Sequence, residues 1–194
     1  MSASRTTVDI VVVLPRTRSE VPHAVTKVTV PLPNGVWGEL TTYEFPKADI
    51  SAIRWTPAPV TAPLGLPLQI GRLATDDGDR PNGVVNGLFM IFDPEHPDFG
   101  SVQRGTVKGG MALARVDGKD LAQEHVRAML EYLALMSGET MELSSMMMHG
   151  GRARARELAE GWLTPQAFGE WFERYKQEKV AAGLEDWRRV ECPV

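Results

Sequence analysis

Four histidines, His23, His96, His125 and His149, and one cysteine, Cys192, are the side chains best suited to acid–base, nucleophilic or soft-metal chemistry in this chain. Metal binding needs ligands that converge, and no H-x₃₋₅-H, H-E-x-x-H or C-x-x-C spacing occurs among them. His96 lies in a proline-bounded loop between Glu95 and Asp98. A carboxylate there could orient it as a general base, although acidic neighbours favour the imidazolium, and a solvated turn is the plainer reading. His125 follows Glu124 on a helical pattern, where neighbours point about 100° apart and cannot share a face, so it reads as a surface histidine. Cys192 stands near the carboxyl end and reads as an exposed, inert thiol.

Two further clusters invite ions. Asp76, Asp77 and Asp79 with Gly78 have the hard oxygens a cation wants, but counting from Asp77 the position that should hold the closing glutamate falls on Leu88. The run Gly150-Gly151-Arg152-Ala153-Arg154-Ala155-Arg156 offers loose backbone amides and guanidinium groups to a phosphate or carboxylate. Only Arg152 and Arg156 share a helical face, and Glu157 and Glu160 are placed to neutralise the arginines. No metal or cofactor is expected. Phosphate-loop, dinucleotide and nucleophile-elbow patterns are missing, since Gly118-Lys119 is followed by Asp120 and Gly100-Ser101 lacks flanking glycines.

These residues must be positioned by elements of two kinds. Twelve of the 14 prolines precede Gly100, and helical periodicity takes over near Asp117. Strands first and helices afterwards predict an α+β fold: a mostly antiparallel sheet of five to seven strands covered by about three carboxyl-terminal helices. A single domain over 1–194 is expected, with strands and loops in 1–118 and helices in 119–194. Ile10 to Leu14 reads as a strand. Val25–Leu32 and Val36–Phe45 flank Pro33-Asn34-Gly35, which predicts a hairpin because Asn-Gly tolerates positive φ. Further strands are expected at Ile50–Thr56, Leu68–Leu73, Leu88–Phe92 (a central strand, having no alternation) and Thr106–Val116, with Gly109-Gly110 as a bulge and Asp117-Gly118 as a turn.

Asp120 is the expected N-cap of a first helix reaching about Met136, with Val126, Met129, Leu130 and Leu133 as its apolar stripe. A second helix falls within Glu139–Trp162, broken at Gly150-Gly151. Thr164-Pro165 opens a third with Phe168, Trp171, Phe172 and Tyr175 on one face, closing near Gly183, after which Trp187 tucks the tail back.

The chain has 194 residues, of which 43% are hydrophobic and 24% charged, with a net charge of −4. That composition supports a buried core and gives no basic patch for nucleic acid or an anionic membrane. No run of apolar residues is long enough for a spanning helix. A soluble, cytoplasmic protein is the expectation.

The segment Ala114-Arg-Val-Asp-Gly-Lys-Asp-Leu121, leading into a helix with His125-Val126 and Tyr132, resembles one found in a loose group of uncharacterised fungal small α+β proteins. The likeness covers about residues 105–135 and implies a soluble intracellular unit, with no activity and no site residue attached.

The first functional expectation is an interaction or self-associating domain without a catalytic motif, contacting a protein partner or a second copy through helices rich in methionine and tryptophan. The alternative is a small-molecule enzyme or ligand-binding protein. Its pocket would lie between sheet and helices, walled by Trp55, Met90 and Met129, with His96 or Arg152 as the polar group.

Overall fold

A computed structural model describes residues 7–14, 25–31, 41–45, 48–51, 55–57, 64–72, 80–82, 85, 90–91, 102–103, 108–146 and 151–194. They fall into two compact units, one formed by 1–58, 67–86 and 106–126, the other by 59–66, 87–105 and 127–194.

The first unit is built on β1 (Thr7–Val13), β2 (Val25–Pro31), β5 (Trp55–Pro57), β6 (Leu68–Arg72) and β9 (Met111–Arg115), in the spatial order β2-β1-β9-β6-β5. All neighbours pair antiparallel. Its buried centre is β1, β9 and β6. Val8, Ile10, Val11, Val12 and Val13 are buried on alternating faces of β1, and all five residues of β9 are buried. Both faces are therefore shielded from water, which explains runs of apolar residues without alternation in an antiparallel sheet.

The expected single sheet of five to seven strands is thus corrected to α+β with three central antiparallel strands. β2 and β5 only line the two edges, and β3 (Thr41–Phe45) with β4 (Ala48–Ser51), and β7 (Met90–Ile91) with β8 (Val102–Gln103), form separate two-stranded ladders. Both edge strands end on a proline, Pro31 in β2 and Pro57 in β5, which has no N–H to donate to a further strand. Among the described residues β2 pairs with β1 and β3 with β4, not with each other as the expected hairpin requires. The Asn34-Gly35 turn lies outside the described residues. Of the expected central strand Leu88–Phe92 the described residues are Met90–Ile91, which pair with Val102–Gln103 outside the five-strand order; an apolar run without alternation carries no information about which sheet it enters.

Hydrogen bonds pin the sheet at two ends. Asn82, almost fully buried, donates from Nδ2 to the carbonyls of Val13 (3.1 Å) and Gly109 (3.0 Å) and accepts from Val85 N–H (3.1 Å). It joins the end of β1 to the entry of β9, where Gly109 adopts φ +83°. That angle is one glycine adopts without strain. At the opposite end, Asp9 accepts from Lys27 Nζ (3.0 Å) and Thr29 Oγ1 (2.6 Å), its N–H donates to Asp120 Oδ1 (2.7 Å), and its carbonyl accepts from Leu121 N–H (2.9 Å).

Helix α1 spans Gln123–Met146 and passes through Ser137-Gly138 unbroken. The sequence suggested an interruption there, but one exposed glycine costs a helix only about 1 kcal/mol. It starts two residues later than a cap at Asp120 would place it, because the Asp120 carboxylate is engaged by β1. His125 Nδ1 instead accepts from Ala122 N–H (3.2 Å) while its own N–H donates to Ala122 O (3.2 Å). The first bond is one half of a capping box, with histidine in the place of Glu or Gln, and the second is an ordinary backbone bond of a tight first turn.

The second unit contains the β7–β8 ladder, α1 from Arg127 onward, α2 (Gly151–Trp162), α3 (Pro165–Ala181) and a 3-10 turn over Glu185–Arg189. Thr164 caps α3 by accepting from Ala167 N–H (3.2 Å), with Pro165 in the first turn. Gly183 closes it at φ +85°: Gly183 N–H donates to Val180 O and Leu184 N–H to Lys179 O, each at 3.0 Å. Those two bonds make a Schellman motif.

Candidate functional site

The second unit is organised by aromatic rings. Phe168 and Phe172 are fully buried on α3, and Trp187 folds back at 3% exposure. Tyr132 of α1 meets Phe168 and Trp171 with ring centroids 5.2 and 5.1 Å apart; Trp171 stacks on Tyr175 at 4.6 Å, and Tyr175 meets Trp187 edge-on at 5.2 Å. Lys179 Nζ lies 4.5 Å from the Tyr175 centroid, a cation–π contact on that end of the row.

A cavity of about 390 Å³ opens beside this row, lined by Tyr132, Leu135 and Glu139 of α1, Trp162 at the end of α2, and Ala167, Glu170, Trp171 and Arg174 of α3. The helical spacings are i, i+3, i+7 on α1 and i, i+3, i+4, i+7 on α3, so each helix turns one face to the groove. Leu135 is 45% exposed there. Tyr132 meets Phe168 and Trp171 across the two helices. The groove carries two carboxylates, Glu139 and Glu170, and one guanidinium, Arg174, beside Leu135 and the aromatic rings.

Its polar chemistry is passive. Tyr132 Oη donates to Trp162 O at 2.8 Å, and burial pushes its pKa up to about 12, with Arg174 opposing weakly. A phenol so held stays neutral and donating at any ordinary pH, a poor shuttle for protons. Gln166 Nε2 donates to Glu170 Oε1 at 2.9 Å. Burial likewise pushes the Tyr175 hydroxyl up.

The charged corner of the sheet unit offers little to a ligand. Arg115, 4% exposed, donates from Nε and a terminal nitrogen to the two oxygens of Asp117 at 2.9 and 2.6 Å. Arg115 chiefly, with help from the Lys119 N–H, holds the Asp117 carboxyl below its usual range against the opposing effect of burial. These charges bind one another and fix the turn at Gly118. In the same unit, Gln69 is buried at 8% exposure and its Nε2 has no hydrogen-bond partner.

The site residues His96, Arg152, Arg156 and Trp55 singled out by sequence fall, wholly or in their side chains, outside the described residues. His96 lies outside the described residues, as do the aspartates 76, 77 and 79 and the turn at 147–150. Arg152 and Arg156 sit one turn apart on α2, and Trp55 sits on β5, with their side chains outside the described residues. Among the described residues, no group of three or more His, Cys, Asp or Glu is placed to hold a metal ion. The expectation for Cys192 is corrected. It is half-buried over Gly169, with burial raising its thiol pKa, because the terminal residues are seated rather than frayed.

Sequence reasoning found Trp171, Tyr175 and the cap of α3 but missed Leu135, Glu139 and Arg174. The signal was available: once Tyr132 and Trp171 are taken as facing one another, these residues follow at helical spacing. Comparison with protein-family models, curated proteins and solved structures finds no match. No described helix is long and apolar enough to cross a membrane.

Proposed function

We propose that this chain is a protein-interaction domain whose contact surface is the groove between α1 and α3. The observation that carries the reading is Leu135, 45% exposed in a cavity of about 390 Å³ alongside Trp162 and Trp171. Aromatic anchors in a concave, partly apolar site with charged groups at its rim are what protein contact surfaces use. The neutral, hydrogen-bonded Tyr132 supports grip over catalysis. A cytoplasmic setting accompanies this reading, supported by a single cysteine and a weakly acidic balance.

A photo-crosslinking amino acid introduced at position 135 in living cells tests it, with position 185, on the exposed Glu185, as control. A discrete adduct from 135 that 185 does not give is the expected result. Equal or absent labelling at the two positions overturns the reading.

A further inference from the structure

We infer that this chain pairs with a second copy of itself through the outer edge of β2, the two strands running antiparallel about a two-fold axis through Val28. The inference lies in the sheet unit and does not depend on the groove reading. β2 stands last in the order β2-β1-β9-β6-β5, and among the described residues no strand pairs with its far side. Which backbone groups that edge offers follows from Asp9. Its N–H is taken by Asp120 and its carbonyl by Leu121, so Asp9 exchanges no bond with Thr29 opposite. The Val13 carbonyl, four positions on, likewise turns away from β2 to receive Asn82, which also binds Gly109 at the entry of β9. Antiparallel pairing alternates, so Val8, Ile10 and Val12 bond Val30, Val28 and Thr26. The N–H and carbonyl groups of Val25, Lys27 and Thr29 and the carbonyl of Pro31 then point outward, and such an edge is a template for another strand.

What selects a copy as the occupant is how this edge meets its own image, since a two-fold interface must be self-complementary. With the axis through Val28, Lys27 faces the partner's Thr29, Thr29 faces the partner's Lys27, and Val25 faces the partner's Pro31. Every outward N–H of both chains then meets a carbonyl, and Pro31, which has no N–H to give, stands where only its carbonyl is asked for. The Val25 carbonyl, at the strand end, is left to water. An axis through Lys27 would serve the same donors but set two lysines directly opposite, which is repulsive. One through Thr29 would run Val25 past the end of the partner's β2. A lysine on an edge ordinarily turns other strands away. Here the Asp9 carboxylate holds Lys27 at 3.0 Å and Thr29 at 2.6 Å, so the charge is balanced within the chain.

Sedimentation velocity of the full chain over a concentration series is the first test. The wild type is expected to dimerise. Thr29→Pro removes an outward N–H without touching the β1–β2 ladder and should dissociate at least about tenfold more readily. Thr29→Ala, which loses the same hydroxyl but keeps the N–H, should dimerise as the wild type does. The second test leaves every N–H in place. Residues facing across a non-hydrogen-bonded pair have Cα atoms about 4.5 Å apart, within the reach of a disulfide. Val28→Cys in a Cys192→Ser background should therefore give a disulfide-linked dimer on mild oxidation, and Val30→Cys should not. Wild-type protein that stays monomeric throughout, Thr29→Pro as tight as Thr29→Ala, or cross-linking at 28 no better than at 30 would each overturn the inference. A Val28→Cys adduct formed in cell extract with a chain of another mass would overturn it too, giving the edge to a foreign strand.

Discussion

At the scale of single residues, the clearest constraint is Gly65. Its φ of +76° is one that other residues adopt only with strain, and a Cβ there would stand 2.6 Å from Val194 Cγ1 and 3.2 Å from Pro165 Cβ. Gly65→Ala should cost about 1–3 kcal/mol, read as a lower urea midpoint; an unchanged midpoint would show that the terminal residues do not dock there. Gln69 predicts the opposite sign. Its buried Nε2 lacks a partner, so an apolar side chain of similar shape should relieve a desolvation cost. Gln69→Leu is expected to raise stability by roughly 1 kcal/mol, and a loss of that size would mean that the amide has a partner in solution. Asp117 carries a pH signature. Arg115 depresses its folded pKa below 3.8, so its contribution is present above the unfolded value and is lost as pH falls through the folded one. The stability gap between wild type and Asp117→Asn, measured by urea at neutral pH and near pH 2, should therefore shrink at the acid end.

Among the elements, α3 shows how much local chemistry reveals. Thr164-Pro165 and Gly183 are short-range signals whose meaning does not depend on the rest of the chain, and both ends of the helix fall where they indicate. Thr164→Ala, which removes the acceptor for Ala167 N–H, should cost about 1 kcal/mol, checked by thermal unfolding. The start of α1 was illegible for the complementary reason. Asp120 has the right type for a cap, but it is held by Asp9, a residue 111 positions away, and no local pattern announces that bond. Strand pairing failed likewise: β2 carries turn chemistry pointing toward β3, yet Lys27 and Thr29 are tied to Asp9 on β1. The groove lay in between. Its aromatic side could be read from one helix's periodicity, whereas bringing Glu139 to the same lining as Glu170 and Arg174 needed the packing of two helices.

For the whole molecule, the decisive feature is that neither unit is a continuous stretch of chain. The backbone passes from one to the other at 58/59, 66/67, 86/87, 105/106 and 126/127, and the last of these passages lies inside α1. A helix is cooperative, because each residue's N–H is bonded four positions back, so separating its first turn from the rest breaks bonds on both sides of Val126. Unfolding of either unit should therefore disturb the other through this shared element. With Trp37 and Trp55 of the sheet unit replaced by phenylalanine, urea titration followed by tryptophan fluorescence reads the helical unit through Trp162, Trp171 and Trp187, while amide exchange at Leu113 and Ala114 reads β9. The two probes should give one midpoint, as a single cooperative transition requires. Two separated midpoints would show that α1 frays at the boundary and that the units melt independently.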